Sequence, residues 1–217
     1  MPHPNSLSSR DPLERLIPRR VHVLVGGPGT GKTALCLRFV AAGLAAGERA
    51  AMIVMSRGSD LKAHAARLGF DLDEALRFGQ LILLRYHADF GARLARSASP
   101  RCAVDELEQL LTPLQPLRVV IDSFAPFLTD EPGSGQAIAA LAAYLERSGA
   151  TSLLTYPEDV NGGYDRRLEP IMQSAAVILR LERNARHRVD VHALATRTGA
   201  GPVAHTDTAL ASIVLTS

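Results

Sequence analysis

The run Gly26-Gly27-Pro28-Gly29-Thr30-Gly31-Lys32-Thr33 holds the densest chemistry in the sequence: a glycine-rich bend with one ammonium and two hydroxyls at fixed spacing. It lies between the apolar runs 21–25 and 34–44, the strand-to-helix setting in which such a loop wraps a polyphosphate. Gly27, Pro28, Gly29, Thr30 and Gly31 let the backbone curve so that several N–H groups point inward. The helix that follows turns its positive end to the same charge. Lys32 would neutralise the β and γ phosphates, and the Thr33 hydroxyl would ligate Mg²⁺. The alternative is a glycine turn that only joins strand to helix, but the full motif in its proper context argues for the cradle. Lys32 and Lys62 are the only lysines in a chain that otherwise uses arginine, so a compact ammonium is kept where a phosphate would call for one.

A second group has a matching task. Arg118-Val119-Val120-Ile121-Asp122-Ser123 is an apolar run ended by an acid, the pattern of a buried parallel strand that delivers a carboxylate to the carboxyl edge of a sheet. Mg²⁺ keeps several of its waters and needs a carboxylate to orient them opposite the Thr33 hydroxyl. Asp122 is the expected metal-side and catalytic acid; a helix-capping or loop acid is the alternative.

The elements that must position these groups follow from the hydrophobic pattern. Apolar runs at 50–55, 81–86, 118–123 and 151–156 alternate with helical spacings at 59–68, 72–77, 104–111 and 136–148, the rhythm of a parallel sheet with crossover helices. Ser59 is the expected N-cap of the second helix. A short helix is expected over 168–174, then strands at 176–182 and 189–196 and a last one at 213–215. Residues 1–10 read as a flexible N-terminal arm, and 11–217 as one ATP-binding domain. The arginine-bearing turn 183–188 reads as a solvated hairpin tip, with contact to nucleic acid or an acidic partner as the alternative.

With 217 residues and a formal net charge of +2, the chain suits one α/β domain. It has no global basic field, which argues against nucleic acid. No segment has the apolar length of a signal core or a membrane span, so no membrane insertion and a cytoplasmic location are expected. Cys36 and Cys102 lack metal-ligand spacing and are read as small packing residues.

Together with Gly-Glu-Arg at 47–49, Ala66-Arg67-Leu68-Gly69-Phe70-Asp71 and Ala176-Val177-Ile178-Leu179-Arg180-Leu181, these motifs resemble the RecA-like P-loop ATPases, most closely the KaiC-like branch. The likeness spans about residue 11 to the C-terminus, and its Walker A motif is the specific part. It implies an α/β fold, RecA-like, with a mostly parallel central sheet flanked by helices, here with a β-rich C-terminal end. It further implies ATP or ADP at the carboxyl edge and a homo-oligomer, often a ring, in which a neighbouring subunit completes the site.

KaiC-like proteins typically carry two glutamates just after the second strand, one of which activates the attacking water. Ser56 and Arg57 stand at those positions. Their lack of a carboxylate should slow hydrolysis without preventing ATP binding. Asp60 and Glu158 are the nearby substitutes by fold analogy, with helix-start or loop charges as the ordinary reading. The family's Lys-x-Arg pattern on a late strand is retained only as Arg197, with Ala195 in place of the lysine, which makes Arg197 a candidate catalytic finger acting in trans. The expectation is an ATP-binding switch for self-assembly or for an unidentified protein partner, possibly a slow ATPase. The alternatives are an active ATPase on single-stranded DNA, whose loops 124–135 and 157–165 lack a stacking-and-basic pattern, and a structural subunit of a larger assembly.

Overall fold

Every residue of the first two strands is buried, which explains why they read as unbroken apolar runs: helices cover both faces of a parallel sheet and leave no solvent side. The computed structural model describes residues 11–86, 101–128, 134–158, 168–185, 188–196 and 204–213. The expected arm 1–10 lies outside the described residues, as do residues 87–100 between β3 and the helix that follows it. The chain runs β1 (Val21–Gly26), α1 (Lys32–Ala45), β2 (Ala50–Val54), α2 (Gly58–Arg67), α3 (Leu72–Arg77), β3 (Leu81–Arg85), α4 (Cys102–Leu111), β4 (Arg118–Asp122), α5 (Ser134–Ser148), β5 (Thr151–Pro157), α6 (Glu169–Ser174), β6 (Val177–Arg183), β7 (Val189–Thr196) and β8 (Ala204–Ile213).

The eight strands form one sheet in the order β3-β2-β4-β5-β1-β6-β7-β8. β3 through β6 are parallel, and β7 and β8 add an antiparallel edge. The side chains of α4, α5 and α6 pack on one face against Val21, Val23, Val25, Ile121 and Leu154. Those of α1, α2 and α3 pack on the other against Leu24, Met52, Val120 and Leu153. Because α1 leaves β1 on one face and α5 leads from β4 on the other, the carboxyl ends of these strands open a crevice between the two layers. β5 lies between β4 and β1, so its carboxyl end is at the centre of that crevice.

Four details depart from the sequence reading. Ser59 is not the N-cap of α2: Arg57 occupies the cap with φ −67° and ψ 144°, and the Ser59 hydroxyl turns to the Asp60 carboxylate at 3.3 Å. α5 begins at Ser134, two residues earlier than expected. The last described strand is β8, Ala204–Ile213, which begins nine residues before the expected 213–215; residues 214–215 lie outside the described residues. Its polar His-Thr-Asp-Thr start escapes a search for apolar runs, because pairing with β7 along a sheet edge does not demand burial of both faces. Finally, Cys36 is buried as a packing residue should be, whereas Cys102 opens α4 and is exposed.

A buried histidine fastens the lead-in segment to the sheet. His22 on β1 is fully buried; its Nε2 accepts the Ile17 N–H at 2.9 Å, so the proton sits on Nδ1, which donates to the Ser152 carbonyl at 3.1 Å. Burial pushes its pKa down to about 4, with nearby Arg20 acting in the same direction and the Ser152 bond opposing. A His whose pKa is depressed on folding contributes stability that is complete above the unfolded value of 6.5 and lost as pH falls toward 4. The loss from this one group is about 3 kcal/mol across that window. Urea unfolding at pH 7.5 and 4.5 should therefore show a steeper acid loss in wild type than in His22→Gln; equal losses in the two proteins would refute this role.

Candidate functional site

The glycine loop leaves the end of β1 between two neighbours that allow no side chain there. A Cβ on Gly26 would lie 2.6 Å from the Leu181 carbonyl oxygen and 2.9 Å from Thr30 Oγ1. Gly31, which caps α1, sits at φ +91°, a left-handed conformation that a side chain would strain. The loop is tied internally as well: the Thr30 hydroxyl donates to the Gly27 carbonyl at 2.9 Å, and Lys32 Nζ donates to the carbonyls of Gly26 and Gly27, both at 2.7 Å. Gly27, Pro28, Gly29, Thr30, Gly31, Lys32 and Thr33 are thus brought together as one curved strand-to-helix segment at the carboxyl edge.

Asp122 ends β4 beside it, and the Asp122–Ser123 peptide that follows is cis. One carboxylate oxygen accepts the Thr33 hydroxyl at 2.7 Å; the other accepts the Thr155 hydroxyl at 2.6 Å. An ionised carboxylate is an acceptor only, so two hydroxyl donors fix its plane. Thr155 on β5 is fully buried and is a site residue that the sequence reading missed. Its one signal was a hydroxyl inside an otherwise apolar run. Oxygen atoms from Thr33 and Asp122 side by side form a hard-donor pair of the kind that holds Mg²⁺.

The charges nearby are balanced locally. Burial lowers the pKa of Lys32 from its ordinary value, and the carboxylates of Asp122 and Glu158 pull it back up. Burial also drives the Cys36 thiol far above its usual range, so it stays neutral inside α1.

Glu158 is not the loop charge expected of it. Its side chain is 8% exposed and contacts the guanidinium of Arg180 on β6 at two points, Nε to Oε2 at 3.0 Å and Nη2 to Oε1 at 2.6 Å. Its backbone N–H donates to the Gly26 carbonyl at 3.0 Å, the same oxygen that Lys32 holds. Asp60 behaves as the sequence suggested, an exposed acid in the first turn of α2. At the end of β2, Ser56 buries a hydroxyl without a hydrogen-bond partner, and Arg57 is exposed.

Arg183 is exposed, as a solvated turn residue should be, and its Nη2 also donates to the Gly29 carbonyl at 2.6 Å. The turn itself is held by Asn184, which donates to both Asp190 oxygens at 3.2 and 3.1 Å and accepts the Arg188 N–H at 3.0 Å. Arg186, His187 and the candidate finger Arg197 lie outside the described residues. Among the described residues no cluster of three or more His, Cys, Asp or Glu is gathered for a metal, and no helix is long and apolar enough to cross a membrane.

A search of curated proteins finds no significant match. A family model described as "ATPase: KaiC" matches residues 11–194, a span that includes the glycine loop, Asp122, Thr155, the Glu158–Arg180 pair, all of β6 and most of β7. With the RecA-like sheet order and the phosphate-loop geometry in place, that match assigns the chain to the KaiC ATPase family of nucleotide-binding proteins.

Proposed function

We propose that the protein binds Mg·ATP in the Gly26–Thr33 loop and works as a nucleotide-dependent switch for self-assembly or for a protein partner, hydrolysing slowly. The observation that carries this reading is the contrast between an assembled phosphate-side site and the end of β2. Thr33 hydrogen-bonds Asp122 and Lys32 feels the charge of that carboxylate, while Ser56 and Arg57 offer no carboxylate where the family resemblance leads one to expect a pair. A positioned base contributes about 10²–10⁴-fold to a rate, so binding can persist while turnover falls.

The roles of the residues follow from their present contacts. The loop amides and the dipole of α1 meet the phosphate charge. Lys32, now resting on two loop carbonyls, can exchange those neutral acceptors for phosphate oxygens, which hold an ammonium more strongly. Thr33 offers its hydroxyl oxygen to Mg²⁺, and Asp122, kept in plane by Thr155, orients the ion's waters. Mg²⁺, when bound, would supply neutralisation of the phosphate charge. Arg197 is the residue assigned to reach a neighbouring protomer's nucleotide.

Calorimetric titration with Mg·ATP should give saturable binding to wild type, and Lys32→Ala should weaken it on the order of 100-fold, the loss of a charge-assisted contact in a partly buried site. Wild-type protein that takes up no nucleotide would remove the proposal. Light scattering should show a shift toward oligomers at saturating ATP, reduced in Arg197→Ala while the affinity of the protomer is retained. An unchanged monomer at saturating ATP would refute the assembly role.

A further inference from the structure

Glu158 stands at the end of β5, the strand that lies between the phosphate-loop strand β1 and the Asp122 strand β4. No other carboxylate among the described residues shares that position. Its backbone holds the Gly26 carbonyl, and its charge is felt by Lys32. The side chain is nearly enclosed, yet Oε1 has no well-aligned hydrogen bond, its Arg180 contact being close but off axis. A buried carboxylate oxygen with acceptor capacity left over, at the centre of the crevice, is a group that the binding chemistry above does not use.

Arg180 occupies that carboxylate, and it has a second seat. Its Nε lies 3.0 Å from Glu158 Oε2 and also 3.0 Å from Glu182 Oε1. Glu182 is 48% exposed, Glu158 is 8% exposed and Arg180 is 31% exposed. One guanidinium is therefore shared by an inner and an outer carboxylate. Moving it fully to Glu182 frees Glu158 without leaving the arginine unpaired, and the motion is toward solvent, where a cation is cheapest to keep. While Arg180 holds Glu158, the guanidinium stands against both carboxylate oxygens and crowds out a water.

We infer that Glu158 is the water-activating carboxylate of this ATPase and that Arg180 is a latch, seated on Glu158 at rest and on Glu182 when hydrolysis is licensed. The inference rests on the ATP-binding reading of the site. In the released state Glu158 takes one proton from a water as that water's oxygen bonds the γ-phosphorus. The bond from phosphorus to the β–γ bridging oxygen breaks, its electron pair leaves on ADP, and Glu158 returns the proton to solvent. A carboxylate at the end of β5 thereby takes over the task for which the end of β2 has only Ser56 and Arg57.

The test uses the full chain and three readouts. Calorimetry with Mg·ATP comes first: if wild type binds no ATP, the underlying reading fails, and only with ATP bound do the other two measurements judge the latch. Phosphate release at saturating ATP should rise at least about tenfold in Arg180→Gln, within the range a positioned base supplies. It should return to the wild-type rate or below in Arg180→Gln/Glu158→Gln. Carbodiimide labelling of carboxyls read by mass spectrometry, on nucleotide-free protein, should find Glu158 protected in wild type and modified in Arg180→Gln. Arg180→Lys keeps the charge but loses the two-point grip; it should give an intermediate rise, and it carries the test if circular dichroism shows Arg180→Gln unfolded. Nucleotide-bound, folded Arg180 variants that hydrolyse at the wild-type rate would overturn the inference, as would a raised rate that survives loss of the Glu158 carboxylate.

Discussion

The carboxylate of Asp122 accepts one hydroxyl from α1 and another from β5, and the site depends on that double hydrogen bond. Thr33 comes from the first turn after the glycine loop, Thr155 from a strand buried on both faces. The two bonds lock together three elements that are far apart in sequence and make the angle between loop and acid a property of the sheet rather than of a flexible side chain. In a partly desolvated site such charge-assisted bonds are stronger than neutral ones, and both acceptor oxygens are committed. Loss of either hydroxyl would let the carboxylate rotate without changing the fold around it.

A similar convergence occurs at the Gly26 carbonyl, where the Lys32 ammonium and the Glu158 N–H meet and where Leu181 approaches so closely that no side chain fits. The end of β1 is thereby clamped between β5 and β6. Arg183 extends the clamp to the crown of the loop through the Gly29 carbonyl. A strand that follows the phosphate loop by some hundred and fifty residues thus touches it at base and tip through Leu181, Arg180 by way of Glu158, and Arg183. β6 runs straight into the hairpin with β7, so these contacts tie the loop to that edge of the sheet.

Charge in the crevice is arranged to be moved rather than neutralised once. Lys32 has two resting acceptors that are weaker than phosphate, and Arg180 has two carboxylates of different exposure. Each cation can leave its seat for another without passing through an unpaired state, which keeps the barrier to rearrangement low where an isolated buried pair would resist it. Under the proposed latch, the replacement of the expected glutamates by Ser56 and Arg57 would fit the same pattern, leaving catalysis to a carboxylate that must first be released.

The sequence by itself determined the parts whose chemistry is local. The glycine loop, Lys32 and Thr33 are contiguous, so their joint role was legible as a motif; the buried parallel strands were legible as apolar runs because both faces are covered; and Asp122 was legible because an acid ending such a run can only emerge at the carboxyl edge. Tertiary structure alone decided the rest. Thr155 became a site residue only when β5 was placed between β1 and β4, Glu158 acquired its partner only when β6 was laid parallel to β1 on the other side, and Arg183 met Gly29 across a separation no periodicity records. The stretch of the edge strand β8 before residue 213 was missed for the opposite reason, since pairing along an edge needs backbone hydrogen bonds and imposes little on side chains. Local pattern encodes which groups are available; the order of strands in the sheet decides which of them meet, because charge pairs and hydroxyl–carboxylate bonds form between neighbours in space and leave no spacing in the chain.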